Sequence, residues 1–205
     1  LVTRLIPDLP REFVVAAQRR RAVDAVAEIA HEFGLAGVTT AAVCRLGRMA
    51  RATYYRLFEG AGDCLRYSFA ESYRQVLGPI AEADGDGGWL SQIDSKIEAL
   101  YASVAASPLL AELCLVHSHS AHEEAAGNDF EAAVEDFGKL LAVARAQDGK
   151  RPIPLVDEHL ARAILSLAAS RALQGKVDAL VAERRAMTAL AAAVYPAVEG
   201  DTKRH

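Results

Sequence analysis

Between Val38 and Phe58 the chain reads VTTAAVCRLGRMARATYYRLF, a stretch that crowds hydroxyls, guanidinium groups and phenols into few residues. The hydroxyls of Thr39, Thr40 and Thr53 can hydrogen-bond phosphate oxygens. Those of Tyr54 and Tyr55 can do the same while their rings pack inward. Arg48 and Arg51 carry the forked guanidinium that grips phosphate, or guanine through O6 and N7. Taken singly, each threonine reads equally well as a helix cap, each tyrosine as core and each arginine as solvated surface. Together, at this spacing, they point to double-stranded DNA.

Such side chains need two short helices held at a fixed angle. Thr39 or Thr40 can cap a helix running to about Leu46 and ending near Gly47, and a second fits from about Ala50 to Leu57. Val43, Leu46 and Met49 can pack on a preceding helix, Arg19 to Gly34, whose Val23, Val26, Ala30 and Phe33 recur at helical spacing. Two helices meeting at Gly47 make a helix-turn-helix, with Arg51, Thr53 and Tyr54 or Tyr55 projecting from the second.

Helical periodicity continues: about 63–83, 89–106, a helix opened by Pro108, one or two within 121–147, then 155–174 and 177–196. No segment alternates like a strand for long. The expected fold is all-α, with about nine helices, divided into a helix-turn-helix domain at 11–62 and a larger helical domain at 63–205. DGDGG at 84–88 has some look of a calcium loop, but its twelfth position is Ser95 rather than glutamate. No cofactor is implied.

The 205 residues are 52% hydrophobic and 24% charged, enough apolar material for a substantial core. No apolar run approaches the roughly 18 residues of a membrane span, and LVTRLIPDLPREF does not resemble a secretory signal. Cys44, Cys64 and Cys114 lack C-x-x-C spacing and read as buried, reduced thiols, so the expected location is the cytoplasm. Residues 1–60 hold 9 arginines and 6 carboxylates, a charge of +3, within a chain of net charge −4. A basic head on an acidic body suits a polyanion bound at one end.

The stretch 19–66 resembles the amino-terminal domain of the TetR family of bacterial transcriptional regulators. Thr39 and Thr40 match the start of the family's second helix, Val43 its core position, Thr53, Tyr55 and Phe58 the T-[LF]-Y-x-x-F signature, and Leu65 the following anchor. RRAVDAVAEIAHEFG matches the first helix. Arg48 stands where the turn usually has glycine, Ala50 where the recognition helix usually has a capping side chain, and Ala61-Gly62 where Lys-Glu is common.

The resemblance implies a ligand-responsive regulator, a repressor, that binds a palindromic operator as a homodimer and is released by a small hydrophobic effector. The effector would lie among Tyr73, Trp89, Tyr101, Leu113, Cys114, His117, Phe130 and Phe137. The last two helices are apolar beyond one stripe, which calls for a second burial partner. Leu160, Ile164, Leu167, Val181, Met187, Leu190 and Val194 are the candidate dimer contacts, unless both faces are buried within one chain. The alternative is a small-molecule-binding or protein-interaction module with weakened DNA binding. VHSHSAHEE, with His117, His119, His122, Glu123 and Glu124, lacks an H-E-x-x-H spacing, and no metal is expected there. No catalytic motif is specific enough to suggest an enzyme.

Overall fold

The helical period resolves into nine α-helices and no strand among the described residues of the computed structural model, 10–117 and 129–201. They are α1 (Arg11–Phe33), α2 (Thr40–Leu46), α3 (Arg51–Leu57), α4 (Ala61–Glu82), α5 (Trp89–Ala106), α6 (Pro108–Leu115), α7 (Asp129–Gln147), α8 (Pro154–Leu173) and α9 (Leu180–Asp201). Single 3-10 turns precede α2 (Leu35–Gly37) and α9 (Val177–Ala179). Pro108 and Pro154 open α6 and α8, where a missing N–H costs nothing. Gly34 ends α1 at φ 67°, a conformation that suits glycine. α1 begins at Arg11 rather than Arg19, because its first turns are mostly exposed and its buried stripe starts only at Ala22.

Two compact units divide the chain within α4, between Ser68 and Phe69, whereas the sequence placed its boundary at 62/63. In the amino-terminal unit, α1 buries Ala22, Val23, Val26, Ile29 and Ala30, and α2 and the 3-10 turn before it pack on that stripe. Arg19 lies over the Tyr67 ring, 4.9 Å from its centroid, so it faces inward while Arg20 and Arg21 are exposed.

The carboxy-terminal unit packs α7 along α8 and α5 along α9, with α6 against α8. Its core includes Ile93, Ile97 and Leu100 of α5, Phe137 and Leu141 of α7, and Ile164 and Leu165 of α8. Several buried polar groups are tied in. The Lys96 ammonium donates to the Ala83 carbonyl at 2.9 Å and caps the carboxyl end of α4. Arg145 stacks over Tyr195 at 3.8 Å and Trp89 at 5.1 Å, and donates to the Arg151 carbonyl at 2.9 Å. The Tyr195 hydroxyl donates to Asp157 at 2.5 Å, and the other Asp157 oxygen accepts from the Ile153 N–H at 3.0 Å.

The loop at 84–88 is closed by Gln92, whose side chain accepts from the Gly85 N–H and donates to its carbonyl. Among the described residues no group of three or more His, Cys, Asp or Glu side chains is placed to hold a metal. His119, His122, Glu123 and Glu124 lie outside the described residues. No single helix among them is long and apolar enough to cross a membrane.

Candidate nucleic-acid interface

Thr39 caps α2, its hydroxyl accepting the Ala42 N–H at 3.2 Å. Val43 and Cys44 point inward, and the chain then turns through Gly47, Arg48, Met49 and Ala50. Gly47 is required by a close approach. A Cβ there would stand 2.9 Å from the Val43 carbonyl oxygen and 3.2 Å from that of Arg21 on α1. Two backbone bonds fix the turn, Gly47 N–H to Val43 at 2.8 Å and Met49 N–H to Cys44 at 3.0 Å. The left-handed residue is Arg48, at φ 49°. A Cβ-bearing residue occupies this region at a cost, so the turn is strained where the related pattern has glycine. Met49 is buried, whereas Leu46, expected to face α1, is exposed.

α3 starts at Ala50 without a side-chain cap. It buries Tyr54 and Leu57 and is followed by buried Phe58. The Tyr54 hydroxyl donates to the Gly60 carbonyl at 3.0 Å, and burial raises its pKa well above the usual phenol value. Tyr54 is therefore a core residue and not part of an outward face, which corrects its place among the candidate DNA contacts. Successive residues on a helix point about 100° apart, and Tyr54 falls on the stripe shared with Leu57 and Phe58. Tyr55 is 59% exposed. At the start of α4, Asp63 accepts the Glu59 N–H at 3.0 Å.

The outward surface carries Thr39, Arg48, Arg51 and Tyr55 exposed, with Thr40 and Thr53 half-buried. Arg45 and Arg56, not singled out in the sequence, are exposed on the same two helices, and Arg56 donates to the Thr53 hydroxyl at 3.3 Å. From Phe33 to Phe58 the chain holds 4 arginines, all exposed, and no aspartate or glutamate. That absence of carboxylates could have flagged Arg45 and Arg56.

The candidate ligand residues do not converge on one cavity. Tyr73 and Phe137 line a groove of about 300 Å³ between α4 and α7, with Leu77, Ile80, Ala133 and Leu140. The Tyr73 hydroxyl donates to Asp136 at 2.8 Å. Tyr101 lines a different groove, between α5 and α9. Trp89 packs edge-on against Tyr195, Leu113, Cys114 and Phe130 are buried in packing, and His117 pairs with buried Glu112 at 3.2 Å.

The candidate dimer residues also part company. Leu160, Leu190 and Val194 line an apolar groove of about 320 Å³ between α8 and α9, with exposed Leu155. Leu167 and Met187 are half-buried. Ile164 is wholly buried within its own chain, so it serves the intrachain core rather than a subunit contact. Val181 belongs with Tyr101 in the α5/α9 groove. Nine residues separate it from Leu190, about two and a half helical turns, so the two occupy opposite flanks of α9.

No protein-family model and no curated protein matches the chain, but solved structures do. The fatty acid degradation regulator FadR from Bacillus halodurans superposes with a TM-score of 0.69 at 13% identity, over 84% of this chain and 93% of that one. A TetR-like transcriptional regulator from Rhodococcus sp. RHA1 gives 0.65 at 16% identity, over 91% and 99%. FadR from Bacillus subtilis, solved with stearoyl-CoA, gives 0.63 at 15% identity, over 83% and 96%. With an amino-terminal helix-turn-helix and a larger helical unit, the chain has the fold of the TetR-like transcriptional regulators.

Proposed function

We propose that the protein is a DNA-binding transcriptional regulator that acts as a homodimer and responds to a small, hydrophobic effector. The observation that carries this reading is the helix-turn-helix surface with four exposed arginines and no carboxylate from Phe33 to Phe58. A duplex presents dense negative charge, and a helix-turn-helix segment without carboxylates adds no like-charge repulsion from its own two helices. In this reading α3 enters the major groove. Arg51 reads a base edge, while Thr39, Thr40, Arg48, Thr53 and Tyr55 position the helix on phosphates. Arg45 and Arg56 add charge to the same surface.

Pairing of two copies would use the apolar α8/α9 groove with Leu155, Leu160, Leu190 and Val194. An exposed apolar patch of this kind suits a symmetric contact, and it would set two recognition helices about one DNA turn apart. The α4/α7 groove with Tyr73 and Phe137 is apolar and suits the effector. The stearoyl-CoA held by the Bacillus subtilis protein is consistent with a hydrophobic ligand in this fold. Effector binding would favour a spacing of the two reading heads that no longer fits the operator, which makes the protein a repressor.

The test selects bound fragments from genomic DNA with the full-length protein, then repeats the selection with variants. Thr40→Ala combined with Tyr55→Phe should weaken every fragment alike, whereas Arg51→Ala should change the preferred base at one position of each half-site. Failure to enrich any fragment would instead favour a ligand-binding module with weakened DNA binding, in keeping with the uncapped start of α3 at Ala50.

A further inference from the structure

Near its amino end, α9 leaves a second groove against α5. Its volume is about 240 Å³, and Ala102 and Ala105 on one side face Val177, Leu180 and Val181 on the other. Tyr101 lines it, is only 4% exposed, and has a buried hydroxyl with no hydrogen-bond partner among the described residues. The fold's other buried or partly buried phenols include three that are paired: Tyr54 to Gly60, Tyr73 to Asp136 and Tyr195 to Asp157. A buried hydroxyl without a partner is costly and rare. Phenylalanine would fill the same space without that cost, so the hydroxyl fits best with a partner that arrives from outside the chain.

The charges around the groove restrict what that partner can be. Arg184, on the groove wall, is engaged by Glu98 at 2.6 Å and Asp94 at 3.6 Å, and so has its charge already balanced. Glu183 is held by the Arg171 guanidinium. Burial and the Glu183 charge both raise the Tyr101 pKa, which keeps the phenol neutral and able to donate. Arg184 is the one cation among the groove's lining residues and is already paired, so a carboxylate entering here gains little from it, and the volume is too small for a long acyl chain. Val181 also stands on the opposite flank of α9 from Leu190, away from the groove assigned to subunit pairing.

We propose that the α5/α9 groove is a second small-molecule site, which binds a neutral, compact apolar ligand through a hydrogen bond from the Tyr101 hydroxyl to a carbonyl or ether oxygen. The proposal rests on this groove alone and is independent of DNA binding and of the α4/α7 effector groove. Acetophenone, ethylbenzene and benzoate serve as probes because they share a ring and differ in the acceptor and charge. Their affinities for the full-length protein are measured without DNA by ligand-observed saturation-transfer NMR.

Acetophenone should bind about 2–10-fold more tightly than ethylbenzene, the span of one net hydrogen bond, and benzoate should bind most weakly. Tyr101→Phe should abolish the acetophenone advantage while leaving ethylbenzene unchanged, and Ala105→Trp should block both. Because no internal bond is lost, Tyr101→Phe should melt at the same temperature as the parent or above it. Equal affinity for acetophenone and ethylbenzene, no binding of either, or an acetophenone affinity untouched by Tyr101→Phe would overturn the proposal. A lowered melting temperature for Tyr101→Phe would overturn it too, since the hydroxyl would then have a partner within the fold.

Discussion

Replacing Arg48 with glycine separates two roles that the turn combines. Arg48 sits at φ 49°, between Gly47 and Met49, whose N–H groups anchor the turn to α2. A left-handed conformation costs a Cβ-bearing residue roughly 1–2 kcal/mol. Glycine removes that strain but loses roughly 0.5–1 kcal/mol more backbone entropy on folding. The balance is a stabilisation of about 0.5–1 kcal/mol, or a few degrees in melting temperature for a unit of this size. Urea denaturation of the full chain, followed by far-UV circular dichroism, measures the gain. Amide exchange at Gly47 and Met49 localises it to the turn. The same substitution removes an exposed cation from the proposed DNA surface. The slope of log affinity against log salt should fall by about one for each half-site. Arg48→Lys keeps both the charge and the strain, so it should leave stability and slope near those of the parent. If Arg48→Gly is no more stable than the parent, the strain argument fails. If its salt slope is unchanged, Arg48 touches no phosphate.

Three further outcomes follow from the same unit. Thr39→Ala removes the capping bond to the Ala42 N–H in the first turn of α2 and should cost about 1 kcal/mol in urea denaturation. Tyr54→Phe should cost about 1 kcal/mol through loss of the bond to Gly60, yet leave the preferred operator sequence unchanged in a fragment selection. Burial pushes the Cys64 thiol from the usual 9 up to about 11, so the folded chain holds that proton more tightly than the unfolded one. The resulting stability is present below pH 9 and is lost as pH rises toward about 11. The urea midpoint of the parent should therefore fall more steeply over that window than that of Cys64→Ala.

Side chains with unambiguous local roles were legible in the sequence. Thr39 or Thr40 as a cap, Pro108 as an opening and Gly34 as a stop each act on the backbone beside them, and in the structure Thr39 is the cap, Pro108 opens α6 and Gly34 ends α1. Adjacent tyrosines were not separable from their types alone, because either could face inward. The structure resolves them through the register with Leu57 and Phe58. The larger unit was harder. Apolar periodicity shows that α8 and α9 need burial but not against what, so Ile164 in the core, Leu190 in the α8/α9 groove and Val181 in the α5/α9 groove carried the same signal. Aromatic residues likewise show no preference between packing and a cavity. Trp89 lies on Arg145 and Tyr195, while Tyr73 and Tyr101 line separate grooves.

The most direct test of DNA recognition is fluorescence anisotropy of the full-length protein with its best-enriched genomic fragment across a salt series, beside a version of the chain in which Arg45, Arg48, Arg51 and Arg56 are all glutamine. The parent should bind with an affinity that falls steeply as salt rises, and the quadruple variant, still folded by circular dichroism, should lose both the affinity and most of the slope. Equal binding by the two proteins, or binding indifferent to salt, would contradict the assignment of this surface to DNA.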